Sequence, residues 1–280
     1  MSHQVLTQTL PFVALTFLLT VMFSTGLDLT VRQIVEPLRN RRLLVSSLVV
    51  NVVLIPLFAF AISRVIPMGE AMQIGIVLYA LGAGTETGPK LVQVAKGNAG
   101  FAVALLALLA LITVVFLPSV ISLVAPDVHV ERATLLLKLL ATVALPLGVG
   151  VMLRSWRGGG VQRLSVVMHR AALTLLAVFI LQVVAVNYTA ILEVEAGAMI
   201  GGLLFFVLAV STGYLAGGPR PENRRALALM SCIRNAPVGM AIASQVFAHD
   251  PGVLVMVTMM AVMTAVLGLF ATFALNRIAR

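Results

Sequence analysis

The stretch GAGTETGPK, residues Gly82–Lys90, decides the fold because it interrupts one of the most apolar segments of the chain. Gly84 and Gly88 weaken a helix, and Pro89 removes a backbone donor while suiting the first turn of a new helix. We expect the helix to unwind near Thr85 to Gly88 and to restart at Pro89. The stretch does not fit a nucleotide-binding loop, since a proline precedes the lysine and no Ser or Thr follows it.

The composition around this stretch predicts an all-α integral membrane protein. Apolar residues make up 60% of the 280, charged residues only 10%, and the mean hydropathy is +1.09. Nine apolar runs come near the ~20 residues that a helix needs to cross a ~30 Å hydrocarbon core. These nine predicted spans are 10–28, 43–65, 71–95, 99–124, 134–153, 164–186, 196–217, 225–247 and 251–275.

The net charge of +9 reports orientation in a lipid bilayer rather than nucleic-acid binding. Fourteen Lys or Arg residues lie in the loops after spans one, three, five and seven and in the C-terminal tail, Arg39 and Arg280 among them. Only Arg64, Arg132 and Lys138 lie on the other side, together with acidic residues such as Asp127. The positive-inside rule therefore predicts a multi-pass plasma-membrane protein with its N-terminus outside and its C-terminus in the cytoplasm.

The eighth predicted span repeats the pattern of the third and runs in the opposite direction. In ALMSCIRNAPVGMAIA, residues 228–243, Arg234 lies three residues before Pro237, just as Glu86 lies three before Pro89. Two interrupted helices of opposite direction in the two halves of a chain predict an inverted-repeat secondary transporter, with its site where the breaks cross. The alternative is a pair of kinked helices that merely pack.

Each predicted break carries a charge that is costly in a membrane. A charged group near the bilayer centre costs ~2.5–3.5 kcal/mol, so we expect Glu86 and Arg234 to face one another, directly or through water. Lys90 is expected at the inner end of the same cavity, or snorkelling to the cytoplasmic interface. His169 and Arg170 either add anion contacts at that inner mouth or lie among headgroups. The candidate translocation residues are Thr85, Glu86, Thr87, Lys90, Arg234, Asn235 and Asn51.

Four stretches resemble the bile acid:sodium symporter superfamily in their order and spacing. They are VMFSTGLDLTVRQIVEPLRNRR (21–42), NVVLIPLFAF (51–60), AKGNAGFAVAL (95–105) and IRNAPVGMAIA (233–243). The resemblance covers nearly the whole chain and implies two inverted repeats arranged as a panel domain and a core domain, with two discontinuous helices crossing in the core. It implies a single domain over 1–280, with a first repeat of four spans at about 10–124 and a second of five at about 134–275.

The resemblance also implies where the family holds its first sodium ion. Side-chain ligands of the first broken helix fall on Gly88 and Pro89 of this sequence, and hydroxyl ligands of the next helix fall on Ala102 and Leu106. A carboxylate shared between the sodium sites falls on Met230. Sodium needs oxygen ligands, which these side chains lack. We therefore expect the first sodium site to be absent and predict no metal site.

At the second sodium site implied by the resemblance, one ligand falls on Arg234 and another, a glutamine in the family, falls on Asn51. A guanidinium repels a cation while occupying similar space and charge, so we expect Arg234 to act as a tethered stand-in for the ion. Transport would then be sodium-independent, either facilitated or coupled to a proton bound by Glu86. The alternative is that backbone carbonyls retain weak sodium binding.

The function expected from these features is secondary transport of a small organic anion by alternating access. Arg234 and Lys90 beside a helix N-terminus suit a carboxylate or sulfonate, and the resemblance likewise implies organic anions. The alternatives are a sodium-dependent anion symporter with altered sodium sites, or a membrane sensor subunit that binds a ligand without moving it. We expect no enzyme and no cofactor, because no nucleophile and base share a predicted membrane depth.

Overall fold

A computed structural model describes residues 3–35, 40–124 and 131–277, and every regular element within them is helical. Arg39, Asp127 and Arg280, which enter the charge count, lie outside the described residues. The α-helices α1 to α15 are, in chain order, His3–Asp28, Val31–Val35, Arg41–Leu48, Ile55–Val65, Glu70–Leu81, Gly88–Val94, Ala99–Val124, Arg132–Leu139, Leu145–Arg157, Gln162–Val186, Tyr188–Leu192, Ala196–Ala216, Pro221–Cys232, Ala236–Val246 and Pro251–Arg277. The predicted all-α class is confirmed.

Eight helical stretches of the described chain are long and apolar enough to cross a membrane, which confirms the multi-span architecture. They are Gln4–Asp28, Arg41–Val65, Ala99–Ile121, Arg132–Arg157, Gln162–Val186, Ala196–Ala216, Pro221–Val246 and Pro251–Arg277. The third predicted span consists instead of α5 and α6. The 12 residues of α5 reach only ~18 Å, less than the ~30 Å hydrocarbon core. Nine membrane crossings therefore stay a prediction that requires α5 and α6 to span together.

Large apolar side chains cover the outside of the helix assembly. Phe12 of α1 is 71% exposed, Leu181 of α10 is 70% exposed and Phe270 of α15 is 68% exposed. Soluble monomers rarely expose contiguous apolar surface on this scale, whereas lipid tails cover it without cost. The eighth predicted span, α13 and α14, is the opposite case, since 94% of its most apolar 18-residue stretch is buried inside the molecule. This discontinuous helix forms the centre of the molecule.

Two long helical stretches, Arg41–Val65 and Arg132–Arg157, each continue past a proline and contain a π-helical turn just before it. The turn Val49–Leu54 lies between α3 and α4 and precedes Pro56, and the turn Leu140–Ala144 lies between α8 and α9 and precedes Pro146. A proline has no N–H to donate and its ring crowds the carbonyl of the preceding turn, so the wider turn relieves the clash. In the first case the turn also frees a carbonyl group at the site described below.

The helices pack in two groups. One group contains α1, which lies along α9 and α10. The other contains both discontinuous helices, with α5 packed on α15, α6 on α7 and α13, and α13 also on α12. The two groups meet where α1 contacts α14, and also where α8 and the turn Leu140–Ala144 contact α7. The panel and core domains stay predictions, as do the inverted repeat and its limits at about 10–124 and 134–275.

Candidate functional site

The first helix break begins earlier than predicted. The non-helical segment runs from Gly82 to Thr87 between α5 and α6, rather than from Thr85 to Gly88. The new helix starts at Gly88, and Pro89 lies in its first turn as predicted. Thr85 is buried and its hydroxyl lies 3.1 Å from that of Thr87, which closes the end of the segment.

Gly84 allows the break to lie directly against α7. Its φ of +83° is in the left-handed region, and a Cβ there would lie 2.8 Å from the backbone nitrogen of Ala110 and from the carbonyl oxygen of Leu106. Next to it, the N–H of Ala83 donates to the Thr113 hydroxyl at 3.1 Å, and that hydroxyl donates back to the Ala83 carbonyl at 3.2 Å. One side chain of α7 thus satisfies both polar groups that the break frees on Ala83.

The second helix break touches the first. It covers residues 233–235, after which α14 restarts with Pro237 in its first turn. The N–H of Asn235 donates to the carbonyl of Gly82 at 2.6 Å, and a Cβ on Gly82 would come within 2.9 Å of the Asn235 carbonyl oxygen. The structure therefore brings the two predicted breaks together through their backbones. The Asn235 amide group is itself buried, and neither its nitrogen nor its oxygen has a hydrogen-bond partner among the described residues.

Arg234 lies at this crossing with only 1% of its surface exposed. Its Nη1 donates to Oδ1 of Asn51 at 2.8 Å and its Nη2 to the Asn51 carbonyl at 3.0 Å. Its Nε donates to the Ala80 carbonyl at 2.9 Å, and Nη2 also bonds this carbonyl. Asn51 is held in turn, because its amide donates to the Ser47 carbonyl and to the Ser231 hydroxyl. The guanidinium is thus fixed on uncharged oxygen atoms.

Both carbonyl groups that bind Arg234 lack a hydrogen-bond donor within their own helix, because each helix is distorted at that point. In the π-helical turn, the carbonyl of Asn51 would pair with the nitrogen five residues later, which is that of Pro56 and carries no hydrogen. The carbonyl of Ala80 would pair with the nitrogen of Gly84, which lies in the non-helical segment. The two free carbonyls converge on one guanidinium, which satisfies them at membrane depth.

The predicted direct pair between Glu86 and Arg234 is wrong, since the described residues contain no such ion pair and the guanidinium is taken by Asn51 and Ala80. Both side chains nevertheless line one cavity of about 170 Å³, called here the middle cavity, together with Phe17, Tyr79 and others. Backbone carbonyls, which every residue carries, replace the carboxylate as partners of the guanidinium. A water-mediated contact across the middle cavity stays a prediction.

Glu86 also lines a second cavity of about 210 Å³. It is called here the inner cavity because its wall contains Lys90, which is predicted to lie toward the cytoplasmic side. Nζ of Lys90 lies 3.0 Å from Nε2 of His169, and the Ser165 hydroxyl bonds Oδ1 of Asp28 in the same wall. Lys90 therefore lines one cavity with Glu86 but not the cavity that Glu86 shares with Arg234, and its place at the inner end of the crossing stays a prediction. Of the pair His169 and Arg170, the first lines the inner cavity, whereas Arg170 is exposed on the outside of α10.

Cavities follow one another along the seam between α1 and α10. The inner cavity meets α1 at Ser24, Thr25 and Asp28, and α10 at His169. The middle cavity meets α1 at Phe17, and α10 at Leu176 and Ile180. A smaller outer cavity of about 70 Å³ lies between the far ends of the same helices, at residues 7–11 and 186–187. The row crosses the molecule beside both helix breaks, and Glu86 lies between its first two members.

The positions aligned with the first sodium site are filled by apolar atoms. Met230, Ala102 and Leu106 are buried, and a Cβ built on Gly88 would lie only 2.5 Å from the Met230 sulfur. Neither thioether nor methyl groups are ligands for a hard cation such as sodium, which takes oxygen atoms. The side chains at these positions therefore do not fit a sodium ion. The position aligned with a ligand of the second site carries the guanidinium of Arg234, which bonds Asn51 and Ala80.

The model of the Sodium Bile acid symporter family matches residues 15–194 of the chain. The chain belongs to this family. This symporter-family protein is 24% identical over 242 residues to "Uncharacterized sodium-dependent transporter YocS" of Bacillus subtilis (strain 168), covering 82% of this chain and 73% of that one. It is 23% identical over 232 residues to "Probable sodium/metabolite cotransporter BASS1, chloroplastic" of Arabidopsis thaliana, covering 81% of this chain and 58% of the plant protein.

Membership confirms the predicted resemblance and makes the protein a membrane transporter of the symporter type. The matched residues end before α12, so the second break with Arg234 and Asn235 lies outside them. The symporter family therefore accounts for the general architecture.

Three polar residues of the site were missed in the sequence, namely Tyr79, Thr113 and Asp28. The hydroxyl of Tyr79 lies 2.5 Å from that of Thr264 and accepts the backbone N–H of Arg234 at 3.3 Å. Asp28 ends α1 and is the last residue of the predicted span 10–28, with no predicted role at the site. Of these three residues, only Asp28 could have been recognised in the sequence, since a carboxylate at the end of an apolar run is uncommon.

Proposed function

We propose that this protein carries a small organic anion across the plasma membrane by alternating access, without conventional sodium coupling and without enzymatic chemistry. The observation that carries the proposal is the fixation of the Arg234 guanidinium on carbonyl oxygens of Asn51 and Ala80 at the helix crossing. Unwound backbone carbonyls are the ligands that transporters of this architecture offer to sodium. Here they hold a cation that belongs to the chain.

The permanent charge of Arg234 supports an anionic substrate. Among the described residues the Arg234 guanidinium bonds only uncharged oxygens, so no carboxylate is in direct contact with it, and a bound anion could take the place of its counter-charge at the crossing. The buried side-chain amide of Asn235, which has no hydrogen-bond partner among the described residues, supplies a donor next to Arg234 in the chain. Lys90 and His169 supply donors at the inner cavity. The row of cavities between α1 and α10 supports a path for a small molecule rather than a closed binding pocket.

Replacing sodium by choline at constant membrane potential should leave anion flux unchanged within about twofold. We would reconstitute the full chain in liposomes and measure counterflow of radiolabelled pyruvate, succinate and isethionate, which present carboxylate and sulfonate groups. A collapse of flux in choline would support the sodium dependence stated in the names of both relatives and overturn the sodium-independent proposal. Flux of all three probes no greater than in protein-free vesicles would contradict the proposed anion transport.

The orientation proposed for this transporter has the N-terminus outside and the C-terminus in the cytoplasm, since the basic loops are expected inside. Trp156 is 78% exposed at the basic end of α9, shortly before α10 begins, and Leu192 is 80% exposed in α11, shortly after α10 ends. On a Cys232→Ser background, Trp156→Cys should react with an impermeant maleimide only after membrane permeabilisation, and Leu192→Cys should react in intact cells. The reverse pattern would invert the orientation.

A further inference from the structure

We propose that Glu86 is the binding site of a coupling proton, so that each monovalent anion crosses together with one proton. The inference rests on the anion transport proposed above and adds the identity of the coupling ion. It follows from the position of one carboxylate between two cavities and from the charges that surround it.

The carboxylate of Glu86 is placed to exchange a proton with either cavity. Its Oε2 is buried, and none of the residues that the structure describes donates a hydrogen bond to it. The side chain lines the inner cavity and the middle cavity, which follow one another along α1 and α10. A proton can therefore reach the carboxylate from one cavity and leave into the next as access to the crossing alternates.

The other titratable or charged groups that face Glu86 come from each helix packed around it. Asp28 of α1, Lys90 of α6 and His169 of α10 line the inner cavity, and Tyr79 of α5 and Arg234 of the second break line the middle cavity. All five have partners: Asp28 bonds Ser165, Lys90 lies against His169, Tyr79 against Thr264, and Arg234 is held by Asn51 and Ala80. Among the residues lining these two cavities, Glu86 is the carboxylate whose buried oxygen lacks a hydrogen-bond donor.

The charge balance of the crossing links this proton to the anion. Without substrate, Arg234 and an ionised Glu86 share the middle cavity and their charges cancel. A bound monovalent anion takes over the compensation of Arg234, which leaves Glu86 as one uncompensated negative charge at membrane depth. One proton bound to its Oε2 restores neutrality. Anion and proton therefore favour each other, and the neutral states are the ones that can change access.

The proposed step forms and breaks a single O–H bond. A proton from the side where the anion enters binds Oε2 of Glu86, and it leaves to the other side when the anion has been released. One anion and one proton carry no net charge across the membrane. Accumulation should consequently respond to a pH gradient and be indifferent to the membrane potential.

The test measures accumulation in proteoliposomes of the full chain with pyruvate or isethionate, whichever monoanion gives the larger flux. With the potential clamped at zero, an outside pH one unit below the inside should raise accumulation up to ~10-fold over symmetric pH in wild type. In Glu86→Gln this ratio should fall to one, whatever rate of exchange remains. Glu70→Gln is the matched control, because Glu70 is exposed at the start of the same broken span and its loss should leave the ratio unchanged. Equal ratios in wild type and Glu86→Gln would overturn the inference.

Two further readouts separate this inference from the proposed anion transport. If wild type exchanges the probe but its gradient ratio is one, the proton inference fails and anion transport stands. If no probe is exchanged, an infrared titration of the purified protein decides for Glu86 alone. A carboxyl carbonyl band that changes with pH in wild type and is lost in Glu86→Gln supports proton binding at this residue, and its absence in wild type contradicts it.

Discussion

Replacing Arg234 by alanine should abolish anion flux and lower the free energy of unfolding by about 3–5 kcal/mol, as expected for breaking a buried charged network. The substitution removes the donors of the Asn51 carbonyl, the Asn51 side-chain oxygen and the Ala80 carbonyl at once. Each is left without its donor at membrane depth, where an unpaired polar group costs ~1–3 kcal/mol. Thermal unfolding in detergent and counterflow in liposomes would measure the two effects.

Added cations should distinguish a stand-in for sodium from an ordinary structural arginine. Arg234→Ala leaves carbonyl oxygens around a vacated space, so sodium or free guanidinium should raise the unfolding temperature of the variant and leave wild type unchanged. Arg234→Lys should stay impaired, because an ammonium is a point charge and cannot match acceptors that require a planar fork. Arg157→Ala is the control at an exposed arginine and should change stability by less than ~0.5 kcal/mol. A variant Arg234→Ala that is as stable and active as wild type would contradict the role given to this residue.

The membrane spans were predictable because their signal is long and local. Each of the nine predicted runs coincides with helical structure apart from the two breaks. Most bounds differ by four residues or fewer, as at 43–65 against Arg41–Val65, although α1 begins seven residues before the predicted start at residue 10. A stretch of about 20 apolar residues admits few other structures in lipid, since backbone groups must be paired within the helix. The same reasoning predicted where the helices would break, because Gly and Pro act on their own neighbours.

The partners of Arg234 were not predictable from side-chain chemistry. The expectation of a carboxylate followed from the cost of a lone charge, but the guanidinium found carbonyl oxygens, which every residue carries and no residue type announces. The only sequence sign was Pro56, five residues after Asn51, and a proline within a membrane helix has many harmless explanations. Asn51 itself entered the candidate site only through the family resemblance.

The role of Thr113 was hidden for a related reason. Thr16 and Thr20 donate to carbonyls four residues earlier in their own helix, at 2.8 and 2.7 Å, and this is the ordinary behaviour of threonine in an apolar helix. Thr113 instead donates to Ala83 across the break, 30 residues away in the chain. A sequence pattern cannot separate the two cases, because the choice depends on which backbone groups the other helix leaves unpaired.

Replacing Gly84 by alanine should destabilise the protein by roughly 2–5 kcal/mol, the sum of about 1–2 for a left-handed backbone and 1–3 for overpacking. The φ of +83° disfavours any residue with a Cβ, and the added methyl would lie 2.8 Å from backbone atoms of Ala110 and Leu106, which cannot rotate away. Since the break must separate from α7 to admit the methyl, the bonds between Ala83 and Thr113 should weaken as well. We expect a lower unfolding temperature in detergent and a loss of counterflow in liposomes.

Two other glycines divide this effect into its parts. Gly218 has a φ of +77° but open space where a Cβ would lie, so Gly218→Ala measures the backbone cost alone. Gly148 lies in α9 with open space and ordinary helical backbone, so Gly148→Ala should be neutral or stabilising by up to ~1 kcal/mol. The excess of Gly84→Ala over Gly218→Ala then measures the contact with α7. If the excess is zero, the close approach of the break to α7 does not hold the crossing in place. A large excess with intact counterflow would show that the contact stabilises the fold without setting the geometry of transport.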